Sequence, residues 1–71
     1  MINCMNIAVS DANGILFATG VITEMGSLFS TPIPQEIQLG FNRYIAENPQ
    51  MQAGVWEAQA DGKSYIIRFS N

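Results

Sequence analysis

The sequence predicts a single small α+β domain, residues 1–71, in which one helix covers one face of a four-stranded antiparallel sheet. Two segments in which apolar and polar residues alternate, each interrupted by a preferred turn dipeptide, predict two β-hairpins. Between them lies a segment whose apolar residues recur at helical spacing, which gives the order ββαββ. Because each element has an apolar face to bury, a helix lying across one face of the sheet is the expected arrangement.

The clearest hairpin signal is the segment 53–71. Asp61-Gly62 favours a type I′ turn, because glycine, and aspartate better than most residues, tolerates the positive φ that this turn requires. The turn then pairs Ala60 with Lys63, and residues directly opposite each other share a face of the sheet. The predicted core face of this hairpin consists of Trp56, Ala58, Tyr65, Ile67 and Phe69. The opposite face consists of Val55, Glu57, Gln59, Ser64, Ile66 and Arg68.

The first hairpin is predicted from strands at residues 3–10 and 15–23. Its connection is either a two-residue turn at Asn13-Gly14 or a four-residue loop over residues 11–14, and both options keep the same side chains on each face. The predicted core face consists of Met5, Ile7, Val9, Leu16, Ala18, Gly20 and Ile22. The opposite face consists of Ala8, Ser10, Phe17, Thr19 and Val21.

Residues 24–33 are predicted to form a loop, because they are rich in glycine, serine, threonine and proline. The three large apolar side chains of this loop are expected to lie under the edge of the domain, and the alternative is that they form an exposed anchor for a partner. They are Met25, Leu28 and Phe29.

The helix is predicted to run from Pro34 to about Glu47. Proline is favoured at the first helical position, and Asn48-Pro49 ends the helix because a residue before proline disfavours the α region. Gly40 lies on or near the buried stripe, where its missing side chain would allow close approach to the sheet. The residues of the buried stripe are Ile37, Phe41, Tyr44 and Ile45.

Composition and charge exclude several classes of protein. The chain is 48% hydrophobic and 13% charged with a net charge of −3, and its basic residues Arg43, Lys63 and Arg68 are scattered. They form no stripe that could follow a nucleic-acid backbone, which argues against a nucleic-acid partner. No segment is long and apolar enough to cross a membrane, no signal peptide is visible, and there is one cysteine. We therefore expect a cytoplasmic protein in a reducing compartment.

The sequence predicts no catalytic, cofactor-binding or metal-binding residue. Histidine, the commonest general base, is absent, and Cys4 has no neighbour in sequence that would activate it. Glu36 and Glu47 share a side of the helix but lie about 16 Å apart along its axis, too far to act as a pair. The alternative is an apolar pocket between helix and sheet, serving ligand binding or catalysis, with Cys4, Tyr44 or Tyr65 as its polar group.

The remaining signal is a set of apolar residues on the sheet face that points away from the helix. If strand order brings the two hairpins together suitably, these residues form an apolar patch with a polar rim, as in protein interfaces. The predicted partner-binding residues are Phe17, Val21, Val55, Glu57, Ile66 and Arg68. We expect a non-enzymatic protein-binding module that docks on a larger protein assembly or forms a homodimer. Its size and class suggest a phage- or plasmid-type inhibitor or accessory factor.

Overall fold

The computed structural model describes residues 5–23, 25–50 and 52–71, which form one helix and a five-stranded antiparallel sheet. The sheet is curled into a half-barrel, and the order along the chain is βββαββ. The α+β class, the single helix and the antiparallel sheet are confirmed, whereas the predicted number of four strands is wrong. The elements are β1 (Met5–Asp11), β2 (Leu16–Thr23), β3 (Gly26–Phe29), α1 (Gln35–Glu47), β4 (Gly54–Ala60) and β5 (Lys63–Ser70).

The two hairpins meet through β1 and β5, which lie side by side in a sheet of order β3-β2-β1-β5-β4. These two strands are antiparallel, with Ile7 opposite Phe69 and Asp11 opposite Tyr65. Since β1 ends where β5 begins, both hairpin turns lie at the same end of the sheet.

The second hairpin has the predicted register. Asp61 and Gly62 have φ values of 54° and 75°, as a type I′ turn requires. Ala60 is opposite Lys63, and the pairing continues without a shift to Gly54 opposite Phe69. The dipeptide turn signal was therefore sufficient to assign both faces of this hairpin.

The connection of the first hairpin is a loop over residues 12–15, one residue later than the four-residue option. Asp11 closes it. Its side-chain Oδ1 accepts hydrogen bonds from the backbone N–H groups of Asn13 and Ile15, at 2.9 and 3.0 Å. The backbone N–H of Asp11 also donates to the carbonyl of Ile15 at 3.1 Å.

A β-bulge follows this loop and corrects two predicted face assignments. Val9 is opposite Ala18, but Ser10 is opposite Leu16, so Phe17 is an extra residue in β2. An extra residue shifts the alternation by one position. Leu16, expected on the core face, therefore lies on the opposite face with Ser10. The ring of Phe17 instead lies 5.6 Å from the ring of Tyr65.

Strand β3 lies inside the segment predicted as a loop, which corrects that prediction. It pairs with β2, with Leu28 opposite Val21 and Phe29 opposite Gly20. Of the three apolar side chains expected under the domain edge, only Phe29 lies against the core. Leu28 and Met25 are exposed, the latter at 96%. A strand of four residues is too short to give a recognisable alternation in sequence.

Helix α1 begins one residue later than predicted and ends at Glu47 as predicted. Its buried residues Ile37, Phe41 and Ile45 are those of the predicted stripe, and Tyr44 is partly buried beside them. Phe41 is fully buried, with ring centroids 5.4 Å from Trp56 and 6.0 Å from Phe69. The space between helix and sheet is thus filled by aromatic and aliphatic side chains.

The helix contacts both edge strands of the half-barrel. Asn42 Oδ1 accepts hydrogen bonds from the backbone N–H of Ser27 in β3, at 3.2 Å, and from the Ser27 hydroxyl. At the other edge, a Cβ added to Gly40 would lie 3.2 Å from Cη2 of Trp56 in β4. The close approach expected at Gly40 is confirmed, and α1 closes the open side of the sheet.

Gly20→Ala is expected to lower the free energy of unfolding by at least about 2 kcal/mol, because overpacking against rigid backbone is strongly unfavourable. A Cβ at Gly20 would lie 2.0 Å from the carbonyl oxygen of Leu28, so β3 would have to move. Gly54→Ala is the matched control, since its Cβ would meet Phe69 at an ordinary 3.4 Å. Urea denaturation of both variants is the measurement, and equal losses would contradict the close approach of β3.

Asn42→Ala is expected to lower the free energy of unfolding by about 1–3 kcal/mol, because it leaves the buried hydrogen-bonding groups of Ser27 without an acceptor. Asn42→Asp, which keeps an acceptor oxygen, should lose less. A double-mutant cycle with Ser27→Ala measures the coupling. Strictly additive losses would show that this contact does not hold the helix to β3.

Candidate functional site: the outer face of the sheet

The outer face, meaning the side of the sheet directed away from α1, is defined by the strand register. Directly paired residues form rows across the strands. The first row is Leu28, Val21, Asn6 and Ser70. The second row is Thr19, Ala8, Arg68 and Val55. The third row is Leu16, Ser10, Ile66 and Glu57.

Five of the six predicted partner-binding residues lie on this face, but they do not form one patch. Val55 on β4 and Ile66 on β5 are diagonal neighbours. Val55 is paired with Arg68, and Ile66 is paired with Glu57. Val21 lies on β2, and the two strands β1 and β5 separate it from β4. The apolar residues therefore form two groups, one towards each edge of the sheet.

Phe17, the sixth predicted residue, lies away from the outer face. Together with Tyr65 it lines a cavity of about 560 Å³ between the two hairpin turns, where Asp11 and Lys63 also lie. Tyr65 pairs with Ala58 and lies against the core cluster. The bulge is thus the reason that Phe17 joins the turn end of the molecule.

Two apolar residues of the outer face were not predicted. Leu16 and Leu28 are 56% and 63% exposed. Alternation predicts a core position for Leu16 because nothing in the sequence marks the bulge, and the sequence predicts a loop at Leu28, with an exposed anchor for a partner only as the alternative. With Val21, 36% exposed, and Val55, 52% exposed, they give this face four large apolar side chains in contact with solvent.

Between the two apolar groups lies a central trough, a cavity of about 530 Å³ on the outer face. Thr19 and Val21 line one side and Arg68 and Ser70 line the other, with the small side chain of Ala8 between them. The trough therefore crosses β1, the strand at the middle of the sheet.

Arg68 is the one basic residue in the three rows that form the outer face. Its Nη1 donates a hydrogen bond to Ser10 Oγ at 3.3 Å, and Ser10 is buried beneath it. Among the residues that the structure describes, no carboxylate forms an ion pair with this guanidinium. Glu57, one row away on β4, is paired with Ile66. The trough thus has apolar and neutral polar walls with a single positive charge.

The three polar groups considered for a pocket have different surroundings. Tyr65 lines the cavity at the turn end, and Tyr44 stacks on Phe41 at a centroid distance of 6.3 Å. Cys4 lies outside the described residues. Within the described ranges, no three histidine, cysteine or carboxylate side chains cluster as a metal site would need. No helix in these ranges is long and apolar enough to span a membrane.

Comparison of the chain with protein-family models, with curated proteins and with solved structures gave no significant match.

Leu16→Ser and Leu28→Ser are each expected to change the free energy of unfolding by no more than about 0.5 kcal/mol, because both side chains are exposed. Ile22→Ala, which empties a fully buried position, should lose about 2–5 kcal/mol. Thermal and urea unfolding check both expectations. A large loss at either leucine would mean that it is part of the core and unavailable to a partner.

Proposed function

We propose that this chain is a non-enzymatic protein-binding module that docks on a larger protein through the outer face of its sheet. The observation that carries the proposal is the set of four exposed apolar side chains on a face that no element of the described chain covers: Leu16, Val21, Leu28 and Val55. These side chains form two apolar groups on either side of the trough, and a partner that spans the trough would cover both.

The charge on the outer face is small and mixed in sign. The three rows of the outer face hold two charged residues, Glu57 near one edge and Arg68 near the middle. Their share is similar to that of charged residues in the whole chain, so the exposed apolar side chains and not the charge carry the proposal. Neutral polar residues such as Asn6 and Thr19 lie between the apolar ones, and their side chains can form hydrogen bonds with a partner.

A second copy of the chain and a different protein are the two partners to distinguish. In the described part of the chain β3 and β4 are the outermost strands, and a strand added beside β4 could extend the sheet through main-chain hydrogen bonds. Docking on a larger assembly is the proposal that we favour. A role as an inhibitor or accessory factor in the cytoplasm fits a small domain with an uncovered apolar surface among its described residues.

Photocrosslinking tests the proposal directly. We expect a benzoylphenylalanine side chain at Val21 or at Val55 to form a covalent adduct with the partner in the cell that makes the protein. The matched control is the same group at Leu39, which is 59% exposed but lies on the helix. The mass of the adduct separates a second copy from a larger protein.

Adducts that form at Leu39 as readily as at Val21 and Val55 would place the interface on the helix and overturn the proposal. An absence of adducts at both outer positions would overturn it as well. An adduct of twice the chain mass would replace docking on a larger protein with homodimer formation.

A further inference from the structure

The geometry points to a partner segment that places a carboxylate in the central trough, on Arg68, with apolar side chains on both sides of it. This inference rests on the proposed function and specifies the chemistry of the partner. An Asp or Glu of the partner would complement the positive charge of the guanidinium that the trough presents.

Arg68 is suited to such a contact. Its guanidinium uses one hydrogen bond on Ser10 Oγ, at 3.3 Å, and a guanidinium has five N–H donors in a fixed plane. Arginine binds carboxylates through two parallel hydrogen bonds, and it loses less hydration than lysine when it is covered. The contact to Ser10 restrains the side chain over the middle of the sheet before the partner arrives.

The side chains around Arg68 determine which residues the partner segment needs on either side of its carboxylate. Ala8 is its neighbour on β1, so no large side chain blocks approach to the trough. Val21 and Leu28 lie on one side, and Val55 lies on the other. Strands β2 and β4 are three strand spacings apart, or about 14 Å along the sheet. A segment that covers both groups therefore needs apolar residues before and after its acidic residue.

The overall charge of the chain sharpens the inference. With a net charge of −3, the protein does not attract an acidic segment over long distances. The electrostatic part of the binding must then come from the direct contact between guanidinium and carboxylate, and the rest from burial of the flanking apolar side chains. We accordingly expect a weak dependence of affinity on salt, and we expect Arg68→Lys to bind poorly although it keeps the charge, because lysine cannot form the paired hydrogen bonds.

The experiment is a selection of random linear peptides displayed on phage against the wild-type protein. We expect the enriched peptides to contain an Asp or Glu flanked by apolar residues. For synthetic copies of these peptides, Arg68→Gln and Arg68→Lys should each weaken binding about tenfold or more. Lys63→Gln is the matched control, since Lys63 lies in the turn end, and it should leave affinity unchanged.

A second arm tests the pairing itself. Replacing the acidic residue of the peptide by its amide should also weaken binding to the wild-type protein about tenfold, with no further loss on Arg68→Gln. Amide chemical shifts of the labelled protein should change at Ala8, Thr19 and Val21. Spectra of the Arg68 variants without peptide should match those of the wild type outside the outer face, which shows that the variants remain folded.

Three results would overturn the inference: enriched peptides without acidic residues, equal affinity for wild type and Arg68→Gln, or no enrichment. Peptides without acidic residues that still shift Val21 and Val55 would leave the proposed function standing while removing the carboxylate. Peptides that shift the helix or the turn-end cavity instead would count against both. The two proposals therefore fail in distinguishable ways.

Discussion

The structure depends on one helix that touches both edges of a curled sheet. A half-barrel of five strands leaves its concave, apolar side open to water, and α1 closes it. At the β3 edge the contact is polar, through Asn42 and Ser27, and at the β4 edge it is steric, through Gly40 and the ring of Trp56. Phe41 fills the space between these contacts. Because the helix covers the inner side, the exposed apolar side chains Val21, Leu28 and Val55 lie on the outer side of the sheet.

Sequence patterns predicted the features that depend on residues close together in the chain. The Asp61-Gly62 turn fixed the register and both faces of the second hairpin, and the helical stripe gave Ile37, Phe41 and Ile45 as buried residues. The pairing of β1 with β5 joins distant parts of the chain, and no local pattern encodes it. Strand β3 is held by its pairing with β2 and by the helix, so its four residues show no periodicity of their own.

Most residues of the candidate site were predicted, but their grouping on the sheet was not. Alternation placed Val21, Val55, Glu57, Ile66 and Arg68 on one face, as the structure has them. A bulge of one residue removed Phe17 and added Leu16, because a single insertion exchanges the two faces of a strand. Strand order then separated the apolar residues into two groups with Arg68 between them. The property that distinguishes this surface is a single cation in a trough with apolar and neutral polar walls, and it arises from the joining of two hairpins.

The joining of the hairpins has a consequence for folding. Pairing of β1 with β5 closes a long loop of chain, a step that is slow compared with the formation of either hairpin. The trough lies across that seam, with Ala8 contributed by the first hairpin and Arg68 by the second. Neither hairpin alone possesses the site, so it exists only after β1 and β5 have paired. A molecule that binds across this seam stabilises the folded chain, by an amount that grows with its concentration relative to its Kd.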